Sequence, residues 1–186
     1  DDVADLLRID LDRDDRRRPV RHLLARRVND FVHLGEDVET ALARRIDLAG
    51  RPEEPFVMQW AGSLEDLQKI LESRNWVYSP KWTWRESIPY LNPNAVLGGV
   101  APRPALHLGL KAKLTMTLDL NGETNRRLVM RAYKTNAILK SSSGTPIFLI
   151  SLTQESLRKS LRAYVVPTLL AANAEQVAQL ENNMAL

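Results

Sequence analysis

The stretch Lys111-Ala112-Lys113-Leu114-Thr115-Met116-Thr117-Leu118-Asp119-Leu120-Asn121-Gly122 decides the fold class. Leu114, Met116, Leu118 and Leu120 recur at every second position with threonine and aspartate between them, the period of a strand with one buried face. Asn121-Gly122 begins a turn and Arg127 to Tyr133 answers it, so the two runs are expected to pair antiparallel.

Working outward, Ile147 to Leu152 adds another apolar strand, and Thr153-Gln154-Glu155-Ser156 reads as a helix start followed by Leu157, Leu161 and more helix toward the C-terminus. Upstream, Phe56-Val57-Met58-Gln59-Trp60 concentrates aromatic and β-branched residues and predicts a strand. Ser63 then caps a helix over Leu64 to Ser73, with Asp66 at its third position and Leu64, Leu67, Ile70 and Leu71 on one face. Trp76-Val77-Tyr78 returns as a short strand. Residues 81 to 110 carry Pro89, Pro93, Pro102, Pro104, Gly98, Gly99 and Gly109 and are irregular, with a short helix near Trp84 to Leu91.

The N-terminal part has a different period. Val20, Leu23, Leu24, Phe31, Leu34, Val38, Leu42 and Ile46 fall within roughly a 140° arc at helical spacing, as for a helix resting one face on a partner. Gly35 inside the stripe allows a break into two helices, and the run Asp10 to Arg18 is too charged for a core. Gly50-Arg51-Pro52-Glu53-Glu54-Pro55 reads as a helix end and linker. The expected architecture is therefore α+β: a helical N-terminal segment over 1–54, then an α+β domain over 55–186 with a mainly antiparallel sheet and packed helices.

Charge follows the same division. The chain of 186 residues has 26 Lys+Arg against 23 Asp+Glu, net +3. Residues 1–54 hold 11 basic and 14 acidic groups with arginine the only base; residues 55–186 hold 15 and 9 and include all seven lysines. Zero cysteines exclude thiolate catalysis, disulfides and cysteine-type zinc sites. The apolar run Ile147 to Ile150 falls far short of the ~18 to 20 residues of a membrane span. Asp1 opens the sequence with nothing near it resembling a signal peptide, so the chain reads as a piece of a longer protein.

Complete catalytic sets are missing from the pattern. There is no GxGxxG and no Gly-flanked Lys-Ser/Thr, so common nucleotide sites are not expected. His22 and His33 lie about 16 Å apart along a helix, too far for one metal ion. Asp10, Asp12 and Asp14 have Asp15 and Arg21 where a calcium loop needs Gly and Glu. No metal or cofactor is expected. His107, in a proline-braced loop entering a strand, has Lys111 and Arg131 within reach, and a fixed histidine between cations can bind or protonate a phosphate oxygen. A half-buried histidine tying the loop by one hydrogen bond is the plainer account. The scattered cations around Trp82, Trp84, Tyr90 and Tyr133 argue against nucleic acid and suit a solvated face or an anionic membrane surface.

Phe56-Val57-Met58-Gln59-Trp60-Ala61-Gly62-Ser63-Leu64, followed by a helix and Asn75-Trp76, resembles the opening of the LssY C-terminal domain family. The likeness continues through Pro104 to Gly109, Leu128 to Tyr133 and Pro146 to Leu149, covering about residues 55 to 160. Asn75 stands where the family has Gly, Leu108 where it has an acid after the His, Tyr133 and Phe148 where it has Trp, and Ile150 where it has Gly. The resemblance implies a domain without an assigned activity, found in membrane proteins beside DedA-like or lipid-phosphatase-type segments. Phosphatase signatures are not present in the chain itself: Ser143-Gly144 continues to Thr145, and Leu11 stands where a Lys would precede Arg18-Pro19.

The resulting expectation is a non-catalytic accessory or binding domain of a membrane-associated protein. It is anchored through a part of the parent not in this sequence, and its partners are an anionic membrane surface, adjoining membrane segments, or a second copy through the N-terminal helix. The alternative is a phosphate-ester-binding hydrolase domain using His107, Lys111 and Arg131.

Overall fold

The computed structural model describes residues 31–32, 44–79, 82–120, 125–139, 145–160 and 164–184. In chain order the strands are β1 (Phe31–Val32), β2 (Arg44–Ile46), β3 (Pro52–Ala61), β4 (Val77–Tyr78), β5 (Leu106–His107), β6 (Leu110–Lys111), β7 (Leu114–Asp119), β8 (Arg126–Leu139), β9 (Pro146–Ser160) and β10 (Tyr164–Ala171). Among the described residues the α-helices are α1 (Leu64–Glu72) and α2 (Ala174–Met184), with 3-10 helices at Trp84–Leu91 and Leu97–Gly99. The main sheet runs β2-β3-β9-β8-β7-β4, with β1 added to β8 and β10 added to β9; β5 and β6 form a small hairpin of their own. Every pairing among the described residues is antiparallel, as the alternation around Leu114 implies. The α+β class follows from this sheet and its two helices.

One face of the sheet is apolar. Leu128, Met130 and Ala132 of β8, Phe148, Ile150 and Leu152 of β9, Trp60 of β3 and Leu114 and Met116 of β7 pack against Leu67 and Leu71 of α1 and Leu180 and Met184 of α2. Burying a side chain of this size is worth about 1.5–3 kcal/mol, so this layer supplies most of the drive to fold. Ser63 caps α1 as expected, its Oγ accepting from the Asp66 N–H at 3.0 Å.

The Trp-Ala-Gly-Ser element has a steric reason. The Trp60 indole folds back so that Nε1 donates to the Ser63 carbonyl at 3.0 Å. A Cβ on Gly62 would lie 3.2 Å from that nitrogen, so only glycine lets the ring close the strand-to-helix corner. At the other end of α1, Asn75 adopts φ 66, and Trp76 and Asn75 donate to the carbonyls of Leu71 and Glu72 at 3.1 Å each. This is the left-handed helix stop that favours glycine and tolerates asparagine, which explains how Asn75 serves there.

Several expectations are corrected. Residues 153–160 are not a helix: β9 continues through them to Ser160 and forms an eight-rung hairpin with β10, from Thr153↔Ala171 to Ser160↔Tyr164. The cap-like Thr-Gln-Glu-Ser is overridden by pairing on both sides, with β8 reaching Ser156. The C-terminal helix begins only at Ala174. Gly50 to Pro55 is not a linker: Asp47 to Arg51 make a tight turn, with Asp47 N–H donating to the Arg51 carbonyl at 3.0 Å, and β3 starts at Pro52. Within the stretch expected as a helix over 19–46, the two described pieces are the strands β1 and β2; the remainder lies outside the described residues, as does the turn at Asn121-Gly122. The run from Lys111 to Leu120 is split, since Lys111 ends β6 and β7 starts at Leu114. The short helix near Trp84 is 3-10, with Pro89 inside it.

Candidate functional site

The opposite face of the same strands is polar and equally buried. On β8 the positions between the core residues are Arg127, Val129, Arg131 and Tyr133; across from them on β9 lie Glu155, Thr153, Ser151 and Leu149. Arg127, Arg131, Ser151, Thr153 and Glu155 are all buried, Glu155 at 0% exposure. The Pro/Gly-rich segment 93–105 covers them.

Glu155 is the hub. Its Oε2 accepts from Arg127 Nη2 at 2.8 Å and Nε at 3.1 Å, and its Oε1 accepts from Arg131 Nη2 at 3.0 Å and from the Arg103 backbone N–H at 3.1 Å. Both guanidinium groups also donate to the covering segment. Arg127 Nη1 donates to the carbonyls of Leu97 at 2.8 Å and Val100 at 2.7 Å, and Arg131 Nη2 donates to that of Arg103 at 2.8 Å. Arg131 Nη1 donates to Thr153 Oγ1 at 2.9 Å. Tyr90 Oη donates to the Ala101 carbonyl, and burial beside Glu155 pushes its pKa up, so the phenol stays protonated. Two arginines sharing one carboxylate leave a surplus positive charge, delocalised over carbonyl dipoles rather than neutralised. Such a cluster persists in a dry layer only when each donor has a partner.

A second cluster adjoins the first through Tyr133. His107 packs edge-on against Phe56 at 5.0 Å and Tyr133 at 5.7 Å between ring centroids. Its Nδ1 accepts from the Ile46 backbone N–H at 3.1 Å, which places the ring proton on Nε2. Burial and then the Arg45 charge hold its pKa below the usual histidine value, with Glu54 opposing. Tyr133 is pushed up to about 12, first by burial. Arg45 donates to Glu54 Oε1 at 2.6 Å, to Glu53 and to the Leu106 carbonyl; burial works to lower its pKa, but the bond to Glu54 and the negative charges prevail and raise it.

Of the three residues expected to form a site, Arg131 binds the Arg103 carbonyl, and His107, four residues further along the same segment, packs on Tyr133. Arg131 is turned toward Glu155, and His107 is tied to β2. Lys111 sits across the small hairpin from Leu106 and is exposed. The plainer account of His107, a histidine tying its loop by one hydrogen bond, describes what Nδ1 does. Arg45, Arg127 and Glu155 were not singled out from sequence. The available signal was parity: Arg127 and Arg131 alternate with Leu128, Met130 and Ala132 on β8, and Ser151 and Thr153 with Ile150 and Leu152 on β9, in step with Glu155. Among the described residues no group of three or more His, Asp or Glu is placed to hold a metal ion, and no helix is long and apolar enough to cross a membrane.

These features define a class: a large antiparallel sheet with helices on one side and an irregular cover held by buried ions on the other. The model of the LssY C-terminus family matches residues 37–164, well over half of the chain. The chain belongs to that family. No curated protein and no solved structure matches it.

Proposed function

We propose that this chain is a non-catalytic accessory or binding domain of a membrane-associated protein, its rigid sheet presenting loops to a partner. One observation carries the reading: the buried ions of the polar face and Nδ1 of His107 are engaged in holding the backbone. Arg127, Arg131 and Glu155 bind one another and four backbone groups of the segment 97–103, and His107 Nδ1 binds the Ile46 N–H. A general base needs a free lone pair facing substrate, and a phosphate clamp needs free donors. The membrane-associated part of the reading rests on the family and on the basic balance of residues 55–186. Its partners on this reading are an anionic bilayer surface, neighbouring segments of the parent protein, or a second copy.

Two measurements test it. Purified chain, His107→Asn and Lys111→Ala are incubated with p-nitrophenyl phosphate and its bis-ester; no turnover dependent on these side chains is expected. Turnover lost in both variants would establish the hydrolase alternative built on His107, Lys111 and Arg131. Fractionation of cells making the full parent protein is expected to find it with the membranes; recovery in the soluble fraction would contradict the reading.

A further inference from the structure

Two turns distant in sequence are locked together beside the edge strand β2. The first, Asp47 to Arg51, joins β2 to β3; the second, Leu108-Gly109, joins β5 to β6. Leu108 N–H donates to the Ile46 carbonyl at 3.1 Å, Ile46 N–H donates to His107 Nδ1 at 3.1 Å, and Arg45 reaches the Leu106 carbonyl. Asp47 Oδ1 accepts from the N–H groups of Ala49 at 2.8 Å and Arg51 at 2.9 Å, which fixes the first turn from within. A Cβ on Gly109 would touch Leu48 Cδ2 at 3.8 Å, so the two turns are in contact.

This rigid tip displays leucine to solvent. Leu48 is 77% exposed, Leu110 62% and Leu108 57%. Leu108 also adopts φ 49, the left-handed conformation that glycine and asparagine occupy readily and leucine does not. Neither packing nor turn geometry calls for leucine there, and backbone strain combined with an exposed apolar side chain points to use outside the fold. Around the leucines, residues 44–54 and 106–113 carry five cations, Arg44, Arg45, Arg51, Lys111 and Lys113, against three carboxylates, Asp47, Glu53 and Glu54. Arg44, Lys111 and Lys113 are exposed, Arg51 is exposed but paired with Asp47 at 2.9 Å, and Glu53 and Glu54 are both taken up by Arg45.

The geometry points to this tip as the surface that docks on an anionic lipid bilayer, Leu48, Leu108 and Leu110 entering the headgroup region while Arg44, Lys111 and Lys113 meet lipid phosphates and carboxylates. It deepens the membrane-associated reading above by naming the contact. The charge surplus favours a lipid surface over a neutral protein groove, and each cation near such a surface is worth roughly fivefold in affinity. Aliphatic side chains on a preformed tip insert without first ordering a loop.

The test is sedimentation of the 186-residue chain with vesicles of phosphatidylcholine containing phosphatidylserine, at low and high salt. Binding is expected to rise with the phosphatidylserine fraction, to weaken with salt, and to fall at least tenfold in Leu48→Ser/Leu108→Asn/Leu110→Ser. A control pair on the 3-10 helix, Trp84→Ser/Leu91→Ser, is expected to bind as wild type. Leu108→Asn alone should raise the melting temperature while lowering vesicle binding, a combination that misfolding cannot produce. Equal binding by wild type and the triple variant would overturn the assignment of the tip and leave the membrane reading standing. Absence of wild-type binding, with the parent still in the membrane fraction, would overturn only the lipid contact. A self-association seen by sedimentation equilibrium and lost in the triple variant, without vesicle binding, would make the tip a subunit interface and overturn the proposal.

Discussion

The two faces of β8 differ in what each side chain holds. Leu128, Met130 and Ala132 look toward α1 and α2 and bind nothing in particular, whereas Arg127, Arg131 and Tyr133, on the alternate positions, look toward the segment 93–105 and reach named atoms. The contrast shows two ways of attaching a layer to a sheet. A helix satisfies its own backbone and needs only an apolar stripe, so contact area suffices. An irregular segment brings bare carbonyls and N–H groups that must be paired when buried. Segment 93–105 has Leu97 O, Val100 O, Arg103 N and Arg103 O to satisfy, and the two arginines and Glu155 do it. The ions on the polar face thereby take the part that helical hydrogen bonds play on the other.

The largest test of that contrast is Glu155→Ala, which leaves two buried guanidinium groups sharing no carboxylate. A loss of about 3–5 kcal/mol is expected, read as the shift of the urea midpoint. Replacing the whole triad, Arg127→Met/Arg131→Met/Glu155→Leu, sharpens the point. The sheet should recover most of that stability, while limited proteolysis between residues 93 and 105 becomes faster than in wild type, because the carbonyls have lost their donors. On the apolar face, Met130→Ala should cost about 2–5 kcal/mol and leave the relative protease resistance of 93–105 unchanged. Ser63→Ala removes the cap of α1 and should cost about 1 kcal/mol, with no effect on the polar cover.

The smallest expected effect is a pH dependence. His107 is held neutral in the fold below its ordinary pKa near 6.5, so the unfolded chain takes up a proton that the folded one refuses. Its contribution is complete above about pH 6.5 and is lost as the pH falls through the lowered folded value. Thermal melts from pH 7.5 to 5 should show this loss in wild type. The loss should shrink in His107→Asn, whose Oδ1 can still accept from Ile46 N–H. A loss of the same size in both would move the acid sensitivity elsewhere.

The apolar face was legible in the sequence and the polar one largely was not. Alternation at Leu114 to Leu120 identified β7, Ser63 with Asp66 identified the start of α1, and Trp60-Ala61-Gly62 carried the family resemblance that the family match bears out. These signals are local, each readable within one element. The triad is formed by partners 24 and 28 residues apart whose meeting depends on the β8/β9 register. In sequence Arg127 and Arg131 look like surface charges on a strand. The sequence groups Arg131 with His107, but its partner is Glu155, in a stretch whose Thr-Gln-Glu-Ser spelling imitates a helix cap. Reading Ser151, Thr153 and Glu155 as one polar face alternating with Ile150, Leu152 and Gln154 would have extended β9 and brought Glu155 opposite Arg127. Arg45 was hidden because β2 was read with the helical stripe before it.

The central claim is that buried charge on one face exists to fasten the cover. Hydrogen exchange of the Arg103 amide, which donates to Glu155 Oε1, tests it most directly when compared with the Met130 and Leu152 amides in wild type and in Arg127→Met. Loss of the bonds to Leu97 and Val100 should lower the protection of the Arg103 amide at least tenfold more than that of the strand amides. An equal loss at all three positions, or none at Arg103, would contradict the claim and return Arg127, Arg131 and Glu155 to the list of groups awaiting a ligand.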